Sequence, residues 1–310
     1  MPVQPLLKDK VAMSFPHHDI APSLNTHLEE YGHCDILIDR MRGFPLREEV
    51  EALKGHLAEC LPLIDPMFMA MPDEAPLLVR LSADAASLIE RYLGQAAEEA
   101  QSPGQGQAIC AILFSHLPCA ELARRLTRQL DLRIKTGKRV FFRFFDPRVM
   151  HHLPRLLQPM EMAQLLNGVD YWCYQHWSDK RIELKAQDYG PLPDKPAYVR
   201  MSLSSAQSAS LQEIETFNLA VHTLWQEGYT LDEKTEGALH TALKTAHAYG
   251  LSTKEDRATL ACHVACGGED ILRHPRWLRA LQLVRERAFA LKDVLEADGI
   301  ALASPAVQHE

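Results

Sequence analysis

His151-His152 stand five residues beyond Asp146, so imidazoles and a carboxylate share one short stretch. General acid–base chemistry uses such groups, and a hydrolase or transferase built on His151, His152 and Asp146 is one reading. No nucleophile accompanies them. The G-x-S-x-G elbow, the P-loop, H-E-x-x-H and a strand-linked G-x-G-x-x-G are all missing from the sequence. A histidine pair just past a helix start more often caps or packs. Cys262-His263-Val-Ala-Cys266 has the residue types of a zinc site. Its cysteines sit at i,i+4 of one predicted helix, and no second ligand pair has metal-site spacing, so buried thiols are the better reading. Asp35 and Asp39 flank one predicted strand roughly 13 Å apart, too far for a retaining carboxylate pair, and read as turn and ion-pair groups. These residues argue against an enzyme, and none of them calls for a cofactor.

The charge is uneven. The chain has 33 basic and 41 acidic side chains for a net −8, yet residues 121–157 hold ten basic residues against three acidic ones, a local +7. A solvated helix face with a turn accounts for this. A docking patch for an acidic protein and a nucleic-acid contact are the alternatives, the latter disfavoured by the overall negative charge. The glycine pair Gly104-Gln-Gly106 lies in a polar loop ahead of a strand, a poor setting for a phosphate cradle.

One segment within that basic stretch stands out: Arg139-Val-Phe-Phe-Arg-Phe-Phe-Asp-Pro-Arg148. Strand alternation through residue 145 puts Val140, Phe142 and Phe144 on one face. Phe141, Arg143 and Phe145 share the other, so Arg143 is flanked by rings and needs a carboxylate, with Asp35, Asp39 and Asp170 as possible answers. Asp146 reads as a helix N-cap and Pro147 as N1, where a missing N–H costs nothing. Arg148 in the first turn gains nothing from the helix dipole, which points to a specific carboxylate partner within the fold or on another protein. Arg143 and Asp146 read as fold-defining, and Arg148 as nearest a partner surface.

Positioning these groups requires an α/β part of mixed sheet with flanking helices, followed by an all-α part. A length of 310 residues predicts two domains, and 46% hydrophobic with 24% charged residues is ordinary globular composition. Strands are expected at 34–39, 77–81, 109–114 and 139–145, with a hairpin from 171–174 and 181–184 near a sheet edge. Helical spacing covers 46–61 and 118–132, and a further helix follows Ser82 or Asp84. Beyond residue 205 the period is helical: one helix closed by Gly228, a second closed by Gly250, a third opened by a capping box at Ser252-Thr-Lys-Glu255, and a fourth running from Pro275 through Leu291. The division reads as extension 1–30, α/β domain 31–190, linker 191–205, helical bundle 206–303 and tail 304–310. Lys8 and Lys10 interrupt any signal-like apolar run, no stretch spans a bilayer, and seven scattered cysteines give no disulfide framework. A cytoplasmic protein without membrane contact is expected.

The run Phe141-Phe-Arg-Phe-Phe-Asp-Pro-Arg-Val149, followed by Leu153, Leu156 and Leu157, resembles the F-R-F/Y-Y/F-D-P-R-V signature of type VI secretion effector chaperones, also called Tap or TEC adaptors. The strand ending Ile38-Asp39, the run Pro76-Leu-Leu-Val79 and the run Ile112-Leu-Phe-Ser115 keep the same order over roughly residues 30–180. Tyr249-Gly-Leu251 and His274-Pro-Arg-Trp277 are similar to the variable C-terminal part of such proteins. The resemblance implies an adaptor without catalysis or cofactor. It would hold a cognate toxin effector, help seat it on the VgrG spike and stay behind when the apparatus fires. The residues read here as protein-binding or fold-defining are Asp39, Phe142, Arg143, Phe144, Asp146, Pro147 and Arg148.

Overall fold

The computed structural model describes residues 22–134, 139–177, 180–191, 201–287 and 289–302. The turn expected at Gly137, Lys135 and Lys138, most of the expected linker, the 304–310 tail and the first 21 residues lie outside this set. Helix α1 (Pro22–Tyr31) leads into β1 (His33–Ile38) and α2 (Arg47–Leu53). Strands β2 (Ala58–Pro62) and β3 (Leu77–Ser82) precede α3 (Ala86–Ala100), β4 (Ile109–Phe114) and α4 (Cys119–Gln129). Then come β5 (Asp131–Ile134), β6 (Arg139–Phe141) and three short helices, α5 (Pro147–Met150), α6 (Leu153–Leu156) and α7 (Pro159–Leu165). The hairpin β7 (Tyr171–Gln175) and β8 (Arg181–Lys185) and the short β9 (Ser202–Leu203) complete the sheets.

Six strands pair antiparallel throughout in the order β2-β3-β1-β4-β7-β8, and the parallel pairing lies in a small second sheet, β6-β5-β9, between β5 and β9. Alternation along β1 explains why both faces are covered. Cys34, Ile36 and Ile38 turn toward Leu24, Leu88, Ile89 and Tyr92 of α1 and α3. Leu37 turns to the other side, where Leu122 and Leu126 of α4 and the rings Phe142, Phe144 and Phe145 pack with Trp172. Asp35 shares that second face. It is fully buried and opposes Arg80 across the β1–β3 pair, whose Nε and Nη2 donate to its two oxygens at 2.9 and 2.7 Å. Asp35 is therefore an ion-pair group, as its spacing suggested.

Several expected elements differ. The helix expected over 46–61 ends at Leu53, because Gly55 takes φ +83° and its amide turns back to Ala58, after which β2 runs along β3. The helix expected to 132 ends at Gln129, since Asp131 to Ile134 pair with β6 and β9. The long aromatic strand is only three residues, for reasons given below.

The C-terminal part is helical: α8 (Ser205–Gln226), α9 (Glu233–Ala248), α10 (Lys254–Gly267), α11 (Pro275–Arg287) and α12 (Leu291–Ala297). Its core gathers Phe217, Leu224, Leu239, Leu260, Trp277 and Leu281. Ser204 caps α8 in a reciprocal box with Gln207. The cap of α10 falls one residue later than expected: Thr253, not Ser252, accepts from the Asp256 amide at 3.0 Å, and Asp256 in turn accepts from the Leu291 amide at 2.6 Å. That bond fixes the start of α12, so the fourth helix does not run through Leu291 but ends at Arg287. Cys262, buried in this core, donates to the Ala220 carbonyl, and all seven cysteines are free thiols. Among the described residues no helix is long and apolar enough to cross a membrane.

The two parts meet through loop 101–107. A methyl at Gly104 would stand 1.6 Å from the His222 ring of α8, so only glycine admits that approach. At Gly106, φ is +74° and a methyl would stand 2.8 Å from the Arg148 guanidinium.

Candidate functional site

The aromatic corner begins where β6 ends. Phe142 donates its amide to the Leu130 carbonyl, and the Asp146 amide closes back on the Arg143 carbonyl at 3.0 Å, so the chain turns before a longer strand can form. The alternation expected through residue 145 thus stops at Phe141. Phe142, Phe144 and Phe145 are all buried in one cluster, with Phe144 lying 5.8 Å from Trp172 and 6.0 Å from Phe145. Asp146 then caps α5, accepting from the Arg148 amide at 3.0 Å, and Pro147 occupies N1. Both assignments read from the sequence hold.

Two acids and two arginines interleave at this corner. Asp39 follows β1; its Oδ1 accepts from the Met41 amide at 3.2 Å and its Oδ2 from Arg143 Nη2 at 2.6 Å. Of the three carboxylates proposed for Arg143, Asp39 is the one that answers it. Arg143 also lies 3.5 Å from Asp146 and 5.3 Å from the Phe145 ring centroid, and it points Nη1 at the Met41 sulfur. Arg148 folds back on its own cap residue, Nε to Oδ1 at 3.0 Å and Nη2 to Oδ2 at 2.7 Å. The carboxylate that its unfavourable helix position called for is therefore two residues away, and Arg148, 16% exposed, lies inward rather than on a partner surface. Burial works to raise the Asp146 carboxyl, but the hydrogen bonds and charge of Arg148, with Arg143 beyond, hold it below the usual range. The crevice beside this corner, lined by Gly106, Pro147, Arg148 and His176 among others, has a volume of only about 10 Å³.

His151, His152 and Asp146 do not assemble as a group. The oxygens of Asp146 go to the arginines. His152 is buried against Phe217 and His240, and burial pushes its imidazole down to about 3. His151 faces elsewhere: its Nδ1 lies 3.1 Å from the Tyr174 hydroxyl and its Nε2 3.0 Å from Glu236 Oε1. Glu236, in the first turn of α9, also meets Arg155 at 3.0 Å and His240 at 3.6 Å. Sequence reasoning missed this carboxylate, which is 85 residues from His151. The available signal was its register: Glu236 precedes Leu239 and Leu243 on the buried face of α9, an inward position where an acid needs a partner.

The basic stretch is largely answered from within the chain. Glu121 takes Arg124 and Arg125, Asp131 takes Arg139, and Glu236 takes Arg155. Of the large apolar side chains exposed among the described residues, Met41, Ile64, Met67, Met69 and Met71 fall in the segments around β1–β3, whereas Met160, Trp225, Leu278 and Phe289 lie elsewhere. Met67, Met69 and Met71 lie in and after short turns between β2 and β3. Arg40 ties the Met41 turn to these by donating to the Ala75 and Pro72 carbonyls. Ile64 also lines an open groove of about 470 Å³ between β2, an edge of the large sheet, and α4.

No curated protein and no solved structure matches this chain at a significant level. Residues 36–164, which carry the second half of β1, Met41, Met67, Met69 and Met71 and the whole Asp39–Arg143–Asp146–Arg148 corner, match the family described as Domain of unknown function (DUF4123).

Proposed function

We propose that this protein is a cytoplasmic effector chaperone of the type VI secretion apparatus, which holds a cognate toxin and hands it to the VgrG spike without chemistry of its own. Two lines support the reading. The matched family is associated with adaptors of this kind, in agreement with the F-R-F-F-D-P-R signature. The observation that carries it is the methionine-rich surface beside the open edge of β2. Methionine side chains are flexible and polarizable and re-pack against varied apolar partners. An unpaired strand edge can add a partner strand through its free main-chain groups. A chaperone that must release its cargo suits such a surface, with a total interface of roughly 1,200–2,000 Å².

The corner of Asp39, Arg143, Asp146 and Arg148 takes the part of scaffold in this reading, since it fixes the turn carrying Met41. Capture of the purified effector and spike by the tagged full chain tests the proposal. Met67→Glu with Met69→Glu is expected to lower effector capture at least tenfold. It should leave the melting temperature within about 2 °C, because exposed substitutions rarely exceed ~0.5 kcal/mol. A folded preparation that retains neither protein, or capture that the paired substitution leaves intact, would overturn the proposal.

A further inference from the structure

Where the sheet-bearing part meets the helical part, three side chains of metal-ligand type converge. His151 follows α5, His176 follows β7 and Glu236 comes from α9, and one donor atom of each lies within 4.8 Å of the others. The two imidazole rings lie side by side, 4.2 Å between centroids and 35° from parallel. All three side chains are largely enclosed, as a structural rather than an open catalytic site requires.

Hydrogen bonds already orient these groups: His151 Nδ1 meets the Tyr174 hydroxyl at 3.1 Å and its Nε2 meets the Glu236 carboxylate at 3.0 Å. In the tautomer with the proton on Nδ1, the Nε2 lone pair is available to a cation beside that carboxylate. A second hydrogen bond on the remote ring nitrogen is also what fixes a metal-binding tautomer. An N···O edge of 3.0 Å is what two ligands at about 2.1 Å subtend at roughly a right angle. The cation beside Glu236 is Arg155, whose Nη1 lies 3.0 Å away and whose side chain, 64% exposed, can swing outward. His240, 3.6 Å from the same carboxylate oxygen, borders the trio without belonging to it.

We infer that His151, His176 and Glu236 form a three-residue site for a borderline divalent transition cation, zinc(II) by donor type, which pins the helical part to the sheet-bearing part. An imidazole-rich set with one carboxylate suits zinc and its neighbours better than calcium or magnesium, which prefer all-oxygen cages. The site is independent of the chaperone reading and could serve any function that needs the two parts held together.

The test is titration of the EDTA-stripped full chain with cobalt(II), followed by zinc. One equivalent of cobalt is expected to give a visible ligand-field absorption that zinc abolishes, and zinc should raise the melting temperature by several degrees, reversibly on chelation. His176→Ala and Glu236→Gln are each expected to weaken binding at least tenfold. Arg155→Ala, a surface change that should leave the fold intact, is expected to tighten binding several-fold because it removes the competing cation. Absence of the absorption at stoichiometric cobalt would overturn the site. So would affinity unchanged by His176→Ala, or unmoved or weakened by Arg155→Ala.

Discussion

Asp146→Ala is expected to cost the protein about 3–5 kcal/mol, the range for stripping one partner from a buried charge pair. The carboxylate is 4% exposed and serves three donors of Arg148: the backbone amide and two guanidinium nitrogens. Its removal uncaps α5 and leaves a guanidinium enclosed without an answering charge, with Arg143 losing its second acid at the same time. The lost cap alone is worth roughly 1 kcal/mol, so most of the effect is the orphaned cation. Asp146→Asn separates the two contributions, because the amide oxygen can still cap while the charge is gone. Its cost should fall between that of alanine and zero. Urea unfolding with unchanged slope is the measurement. A loss below about 1 kcal/mol for the alanine variant would show that the corner does not rely on this pair.

That corner also shows what a sequence can disclose. Asp146 as cap and Pro147 at N1 are local matters of neighbouring residues, so both are legible without a structure. The partner of Arg143 is not, because Asp39 lies 104 residues away and two other acids fit equally well. The strands β1, β3 and β4 are readable from apolar and β-branched runs that must be buried on both faces. Strand β2 is hidden because Leu53, Leu57 and Leu61 continue a helical spacing across Gly55, whose positive φ ends the helix. The aromatic strand is overread for the reverse reason. Its composition favours extension, but the Asp146 cap and the return to the Arg143 carbonyl demand a turn inside it. The cluster at Glu236 joins residues from three distant elements, and pair spacing along a chain carries no information about such a meeting.

In the metal-free protein, stability is expected to fall steeply as the pH drops from 7.5 to 5. The enclosed His152 and the half-buried His263 set the direction, and His176, which burial pushes down to about 4, adds to it. Burial pushes His152 down to about 3, with His151, His240 and Arg155 adding to the shift and Glu236 opposing it. Burial alone pushes His263, packed 4.9 Å from the Trp277 ring, down to about 4. Both groups stay neutral in the folded chain, whereas in the unfolded chain each binds a proton near pH 6.5. The unfolded state thus holds more protons between about 4 and 6.5, and stability rises with pH through that window. At pH 5 the penalty is about 2 kcal/mol for His152 and less for the half-buried His263. Glu236, which burial would raise but His151 and His240 hold low, loses its partners' benefit at still lower pH and acts in the same direction. Denaturant unfolding at the two pH values reads the difference, and His152→Phe should remove about 2 kcal/mol of it. Equal stability at pH 7.5 and 5, or a difference untouched by this substitution, would contradict the assignment.

Strand order has a consequence for how the molecule can be divided. The free side of β4 is filled by β7, whose residues Trp172 and Cys173 oppose Leu113 and Ile112, and β5 is flanked by Ser202 and Leu203. Both neighbours lie past residue 164, where family likeness stops. A polypeptide trimmed to that likeness would bare the wholly apolar β4 from Ile112 to Phe114, an invitation to self-association. The matched stretch therefore relies on neighbours outside it to close its sheets, since β7 and β9 both lie beyond residue 164.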